Sequence, residues 1–446
     1  MQLTFSFKEM RYVLYAVELM CIIMQYRDKE ILKMDSQFYK ENRKAFMNTL
    51  GNESLALFFS GSPVRRTSDE NYSFFADRNF VYLTGIEQKE TILMMEKRDG
   101  EAGETIFLLP PDAHEERWSG RRIKEEEAAA VSGAVDFSST EIFEKELKKI
   151  LSSGRVKRIY LDMDTEGVYV VSSAVQDMCQ MLKADYPDIQ IESSLPIMKK
   201  LRLIKKPCEI EAMEQAQRIT REGILAMMRR SKPGMYEYQY KAEYDYALAQ
   251  NGVLEAGFPS IISAGKNNFC IHYDSYTGQA RDGDMVLNDV GVRWDHELTD
   301  VSRGWPCNGK YSAKQKLLFE CAYRTSEHMF HTLRPGIPMG EVDAQIRRYN
   351  FEQLKEAGVL SSFEDIGTYM WHGGAHHVGF DVHDVVAAKG AVLQPGMVFC
   401  VDVGIYHEEW GIGFRLEDNC LITEDGCRNL SKDIPRTVED IEAVMM

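Results

Sequence analysis

The sequence predicts two successive domains, an α/β domain first and then an α+β domain assembled from two copies of one unit. Three observations lead there. A chain of 446 residues exceeds the usual size of one domain. Its first half alternates strand-like and helix-like segments, the pattern of a sheet covered by helices. Its second half runs through the same order of helices, loops and strands twice, as an internal repeat would.

Taken in order, residues 1–33 stand apart. The apolar run from Tyr12 to Met24 is interrupted by Glu18. It is too short to span a bilayer, and no small-residue cleavage site follows it. We expect a dispensable extension or an amphipathic helix, with Met34 a candidate translation start. A helix is expected over Phe38–Leu50, and strands over Leu55–Phe59, Phe80–Leu83, Thr105–Leu109 and Arg158–Leu161, from their apolar, β-branched and aromatic content. The basic stretch from Met198 to Lys206 then leads to Pro207, a residue suited to the first turn of a helix. The domains are accordingly drawn as 34–195 and 196–446.

In the second domain a helix over 208–230 ends before Lys232-Pro233-Gly234-Met235, and another stops at Asn251-Gly252. About a hundred residues later the order returns. A helix from 313 ends before Arg334-Pro335-Gly336-Ile337, and the next reaches Ala357-Gly358. β-rich sequence follows each pair, with Asp289-Val290-Gly291 in one copy and Asp402-Val403-Gly404 in the other. Two such copies imply pseudo-twofold symmetry with a site between them.

Bulk composition narrows the chemistry. Hydrophobic residues make up 44% and charged residues 27%, as in a water-soluble protein with a sizeable core. A net charge of −16 argues against nucleic acid or an anionic membrane as partner. Nine cysteines are scattered with no C-x-x-C pair, which fits free thiols in a reducing, cytoplasmic setting. Cys270, Cys307 and Cys400 are expected to be small buried hydrophobes.

Acids and histidines concentrate around the repeated strands. Asp289 interrupts the apolar run Met285–Val292, and Asp300 follows eleven residues later in a second β-like segment. Asp402 ends the apolar run from Val398, and Glu417 follows fifteen residues on. Between the copies, His372, His376, His377 and His383 place four of the ten histidines within twelve residues. The adjoining glycines allow close backbone approach. A lone strand aspartate is usually a turn or cap residue, but acids on both strand pairs would repel unless a cation joined them. Four carboxylates and an imidazole form a hard donor set suited to Mn²⁺, Co²⁺ or Fe²⁺. Two such ions about 3.5 Å apart would activate a water and stabilise a tetrahedral oxyanion, the requirement for amide hydrolysis.

These segments carry a resemblance. Ile271-His272-Tyr273, Leu287-Asn288-Asp289-Val290-Gly291, Thr299-Asp300-Val301-Ser302-Arg303, His372-Gly373-Gly374-Ala375-His376, Gly379-Phe380-Asp381-Val382-His383-Asp384 and Gly413-Phe414-Arg415-Leu416-Glu417-Asp418 occur in one order. In that order they resemble the Xaa-Pro aminopeptidases (aminopeptidase P), metallopeptidases of the pita-bread fold. Asp77-Arg78-Asn79-Phe80-Val81-Tyr82-Leu83-Thr84-Gly85 and Glu116-Arg117-Trp118-Ser119-Gly120 resemble that family's amino-terminal domain.

The resemblance implies two divalent ions, Mn²⁺ foremost with Co²⁺, Fe²⁺ or Zn²⁺ as alternatives, held by Asp289, Asp300, His376, Asp402 and Glu417. It implies that His272 and His383 contact the substrate and steady the tetrahedral intermediate, that His372 lines the pocket, and that Arg415 orients Glu417. Peptides with proline in second place are the implied substrates, and a homodimer or higher homo-oligomer the implied assembly. One departure stands out. The family carries Glu-Pro-Gly where this chain has Asp402-Val403-Gly404, and in relatives that Glu binds metal and accepts a proton from the attacking water. Asp402 is one methylene shorter. Two alternatives therefore stand beside the aminopeptidase: a dipeptidase restricted to Xaa-Pro, and a weak or inactive pita-bread protein that only binds.

Overall fold

The computed structural model describes residues 34–163, 172–384 and 390–446. The expected amino-terminal extension over 1–33 lies outside them.

The first fold unit is a six-stranded sheet. Its strands are β1 (Ser54–Phe59), β2 (Ile92–Arg98), β3 (Glu101–Leu108), β4 (Phe137–Ser139), β5 (Arg158–Leu161) and β6 (Gln190–Ser193), in the order β4-β3-β2-β1-β5-β6. β1–β2–β3 is an antiparallel meander, while β5 and β6 join in parallel. A helix over Ser36–Thr49 opens the unit, and the side chain of Asp35 accepts from the backbone N–H groups of Gln37 and Phe38. Such a cap satisfies donors that the first helical turn leaves free.

One expected strand is a helix. Phe80–Leu83 lies within a helix over Arg78–Thr84. All four apolar residues are buried there, so no alternation was present to separate strand from helix. The ends decide: Asp77 accepts from Phe80 N–H at 2.9 Å, and Gly85 closes the helix with φ of +68°, a left-handed conformation that glycine adopts without strain.

A helix over Leu195–Leu203 packs against the opening helix. Pro207 then starts the helix Pro207–Arg230. This helix and its partner Glu237–Gln250 are echoed by Ala313–Thr332 and Met339–Glu356. A three-stranded sheet follows each pair. The first orders β7 (Ile261–Ala264), β8 (Met285–Val290) and β11 (Val301–Pro306) as β11-β8-β7. The second orders β12 (Val398–His407), β13 (Ile412–Ile422) and β14 (Cys427–Asn429) as β12-β13-β14. β11 packs on β13, bringing the two sheets together.

The connection between β8 and β11 carries its own ribbon, β9 (Arg293–Trp294) with β10 (Glu297–Leu298). Its two turn residues, Asp295 and His296, have φ of +46° and +72°, as the tightest hairpin turn requires. The second domain's core runs through both helix pairs and both sheets. Among the described residues no helix is long and apolar enough to cross a membrane.

Candidate metal centre

The four acids come together because two hairpins lie face to face. In the first, Asp289 of β8 is paired with Ser302 of β11, and Asp300 sits just before β11 begins. In the second, Asp402 of β12 lies directly opposite Glu417 of β13. Residues two apart on a strand share a face. Cys400, Asp402, Gly404 and Tyr406 therefore look the same way from β12, as Arg415, Glu417 and Asn419 do from β13.

The histidine-rich loop is laid along β12. Cys400 N–H donates to the His376 carbonyl at 2.8 Å, and Asp402 N–H to the Gly374 carbonyl at 2.9 Å. These bonds carry His376 to the acids: its Nε2 lies 3.4 Å from Asp300 Oδ2 and 3.6 Å from Glu417 Oε1. Close approach explains two glycines. A Cβ at Gly374 would stand 2.9 Å from the Asp402 carbonyl oxygen, and one at Gly404 would stand 2.4 Å from His372 Nε2.

His372 faces Asp402, Nδ1 to Oδ2 at 3.1 Å, while its Nε2 lies 3.0 Å from the Tyr406 hydroxyl. Burial works against its charged form, but Asp402 lifts its pKa to about 9. The His383 ring lies 4.3 Å from that of His376, and burial, with the charges of His376 and His272 adding, pushes it down to about 4. His272 is exposed at the mouth. His272, His372, His376, His383 and Asp402 border a cavity of about 780 Å³ whose wall also includes Phe258, Pro259, Ile261 and Ile271.

Arg415 differs from expectation. Its guanidinium does not pair with Glu417 but donates to Asp289 Oδ2 at 2.8 Å, to Tyr406 Oη at 3.0 Å and to Ser302 Oγ at 3.3 Å. Ser302 in turn donates to Glu417 Oε2 at 2.9 Å. Contact with Glu417 thus runs through a serine that sequence reasoning left out, because the long side chain crosses to the other hairpin.

Asn419 was also missed. Its side chain accepts from Asp300 N–H at 3.1 Å and donates to the Asp300 carbonyl at 2.9 Å, so it holds that residue as a neighbouring strand would. Its one sequence signal was a polar side chain two places beyond Glu417 in an apolar strand. The cysteines divide as well. Cys307 and Cys400 are buried as expected, but Cys270 is exposed, in the segment that leads from a 3₁₀ turn over Gly265–Phe269 to the exposed His272.

Asp300, Asp402 and Glu417 are each no more than 6% exposed. Burial, with Glu417 and Asp289 adding, raises the Asp300 pKa well above the usual carboxylate range. Burial and Asp402 raise that of Glu417. Oδ1 of Asp289, Asp300 and Asp402 are all buried with no hydrogen-bond partner. Unpartnered carboxylate oxygens gathered this way are costly without a cation, so the donor set fits divalent metal.

The comparisons with known proteins agree. The pattern of metallopeptidase family M24 matches residues 211–424, and that of the aminopeptidase P amino-terminal domain matches 39–186. The Xaa-Pro aminopeptidase of Haemophilus influenzae is 30% identical over 433 residues, covering 93% of this chain and 98% of that one. That of Escherichia coli is 28% identical with the same coverage. Among solved structures, one attributed to aminopeptidase P of Bacillus anthracis matches with a TM-score of 0.90 at 33% identity, over 92% of this chain and 98% of that one. The E. coli enzyme with the inhibitor Pro-Leu matches at 0.84 and 27%, over 93% and 98%. With relatives matching along nearly their whole length and both domain patterns present, the chain belongs to metallopeptidase family M24, in its aminopeptidase P branch.

Proposed function

We propose that this chain is a metal-dependent aminopeptidase that hydrolyses the bond between an N-terminal residue and a following proline. The observation that carries the reading is the gathering of four carboxylates and His376 in one cavity, with three buried carboxylate oxygens left unpartnered. Asp289, Asp300, His376, Asp402 and Glu417 would hold two divalent ions, with Mn²⁺ the proposed native metal. When bound, such ions lower the pKa of a water and stabilise developing negative charge.

The chain's own residues supply the rest. Phe258, Pro259 and Ile261 offer an apolar wall for a proline ring, which has no N–H and a fixed φ. His383, held near neutral form by burial, and His272 face the cavity where the scissile carbonyl would lie. Asp402 would take the proton of the attacking water, with His372 beside it at 3.1 Å. We further propose a homodimer or higher homo-oligomer in the cytoplasm.

The relatives compared above bear the aminopeptidase's name, and no observation favours the dipeptidase or the binding-only alternative. The test is hydrolysis of Xaa-Pro-Xaa and Xaa-Pro peptides by the natural chain and by Asp402→Glu, with and without Mn²⁺. We expect metal-stimulated cleavage of the longer peptides by both, faster in Asp402→Glu. A metal-loaded natural chain that cleaves none of them would refute the reading.

A further inference from the structure

We propose that Sγ of Cys400 is a ligand to one of the divalent ions, giving this centre a sulfur donor beside its oxygens and nitrogen. The inference rests on the metallopeptidase reading above and adds a residue to it.

The placement follows from β12. Cys400 and Asp402 are two residues apart and share a face, opposite Asn419 and Glu417 of β13. One ligand atom each from Asp300, His376, Cys400 and Glu417 lie within 4.8 Å of one another. The quartet does not include Asp402, whose Oδ2 faces His372 at 3.1 Å. The side chain shortened by one methylene is thus turned toward a histidine, and the sulfur on the same face stands among the other donors.

A buried cysteine alone is usually a small hydrophobe, and Cys307 fits that description. Two observations separate Cys400 from it. Its three neighbours all carry ligand atoms, and one of them, Asp300, only 4% exposed, has an Oδ1 with no partner. The sulfur is also oriented, since Asn419 Nδ2 donates to it at 3.3 Å while clamping the Asp300 backbone. A four-coordinate ion wants its donors roughly 3.5 Å apart for bonds of 2.0–2.3 Å, so modest side-chain rotation closes the quartet. Coordination replaces the thiol proton, which leaves to solvent. A thiolate favours Zn²⁺ and Co²⁺ over Mn²⁺, so this position binds the softer ions more strongly than an all-oxygen site would.

The experiment loads the full chain with Co²⁺ and records its absorption spectrum, then repeats this with Cys400→Ser. We expect a near-ultraviolet sulfur-to-cobalt charge-transfer band in the natural chain. Cys400→Ser should lose that band and keep the visible ligand-field bands of bound cobalt, while its Zn²⁺ affinity falls relative to its Mn²⁺ affinity. Bound cobalt without the sulfur band, or a band that survives in Cys400→Ser, overturns the inference and leaves the peptidase reading standing. A chain that binds no cobalt overturns both. Should Cys400→Ser fail to fold, X-ray absorption of the zinc-loaded natural chain decides. Sulfur at roughly 2.3 Å supports the ligand, and a shell of nitrogen and oxygen alone removes it.

Discussion

Arg415 ties the carboxylate of Asp289 to the second hairpin. It is buried, and its fork reaches Asp289 and Ser302 on one hairpin and Tyr406 on the other. A lysine would keep the charge but present a point rather than a planar fork, and so would reach one of these partners at most. We expect Arg415→Lys to lower kcat/KM about 10–100-fold, with a parallel loss of metal affinity and a near-native circular dichroism spectrum. Steady-state kinetics on metal-saturated protein together with metal titration checks this; unchanged values would remove Arg415 from the positioning of Asp289. The residue was visible in the sequence, but its partner was not. Strand spacing put it on the face of Glu417, and only the packing of β11 on β13 shows that the guanidinium reaches Asp289 and Ser302 on the opposite hairpin.

At the level of elements, legibility followed the strength of the local signal. Pro207, the Pro-Gly turns and Asn251-Gly252 mark ends that backbone chemistry enforces, and the helices Pro207–Arg230, Glu237–Gln250, Ala313–Thr332 and Met339–Glu356 fall where those marks predict. Phe80–Leu83 was unreadable by periodicity because burial on every side erases the pattern. Asp289, Asp300, Asp402 and Glu417 were legible as acids in apolar strands. Asn419 was not, since its work is on another residue's backbone. That role gives a prediction. Asn419→Ala would leave the buried N–H and carbonyl of Asp300 without their partner, each such loss costing about 1–3 kcal/mol. We expect a drop in stability of that order by urea titration, and weaker metal binding as the segment before β11 loosens. Wild-type metal affinity at reduced stability would show that the clamp serves folding alone.

Over the whole molecule, the histidine-bearing loop joins the two domains. Phe380, between His376 and His383, is 1% exposed and belongs to the core of the amino-terminal domain. Its ring meets Tyr82 edge-on at 5.1 Å and lies under the guanidinium groups of Arg78 and Arg202. Phe380→Ala should cost about 3–5 kcal/mol and lower kcat through misplaced histidines; a stability loss with kcat intact would mean the loop is held from the catalytic side alone. Behind the loop lies a buried ion cluster. Asp384 meets Arg202 at 2.6 Å and Lys205 at 2.8 Å, and Glu297 of β10, fully buried, faces the same group. Burial raises the Glu297 pKa well above the usual carboxylate range against the pull of Lys205, with Glu209 and Asp384 adding to the rise. Between its unfolded and raised folded values, the folded chain keeps a proton on Glu297 that the unfolded chain has released. Stability therefore falls as pH climbs through that window. Glu297→Gln keeps the shape and removes the titration. From about pH 5 to about pH 8, where ordinary carboxylates are already ionised, the variant should lose less stability than the natural chain, and near the upper end it should have the higher Tm. Parallel pH profiles for the two proteins would show instead that Glu297 does not carry the proton of this junction, which it shares with the buried Glu209.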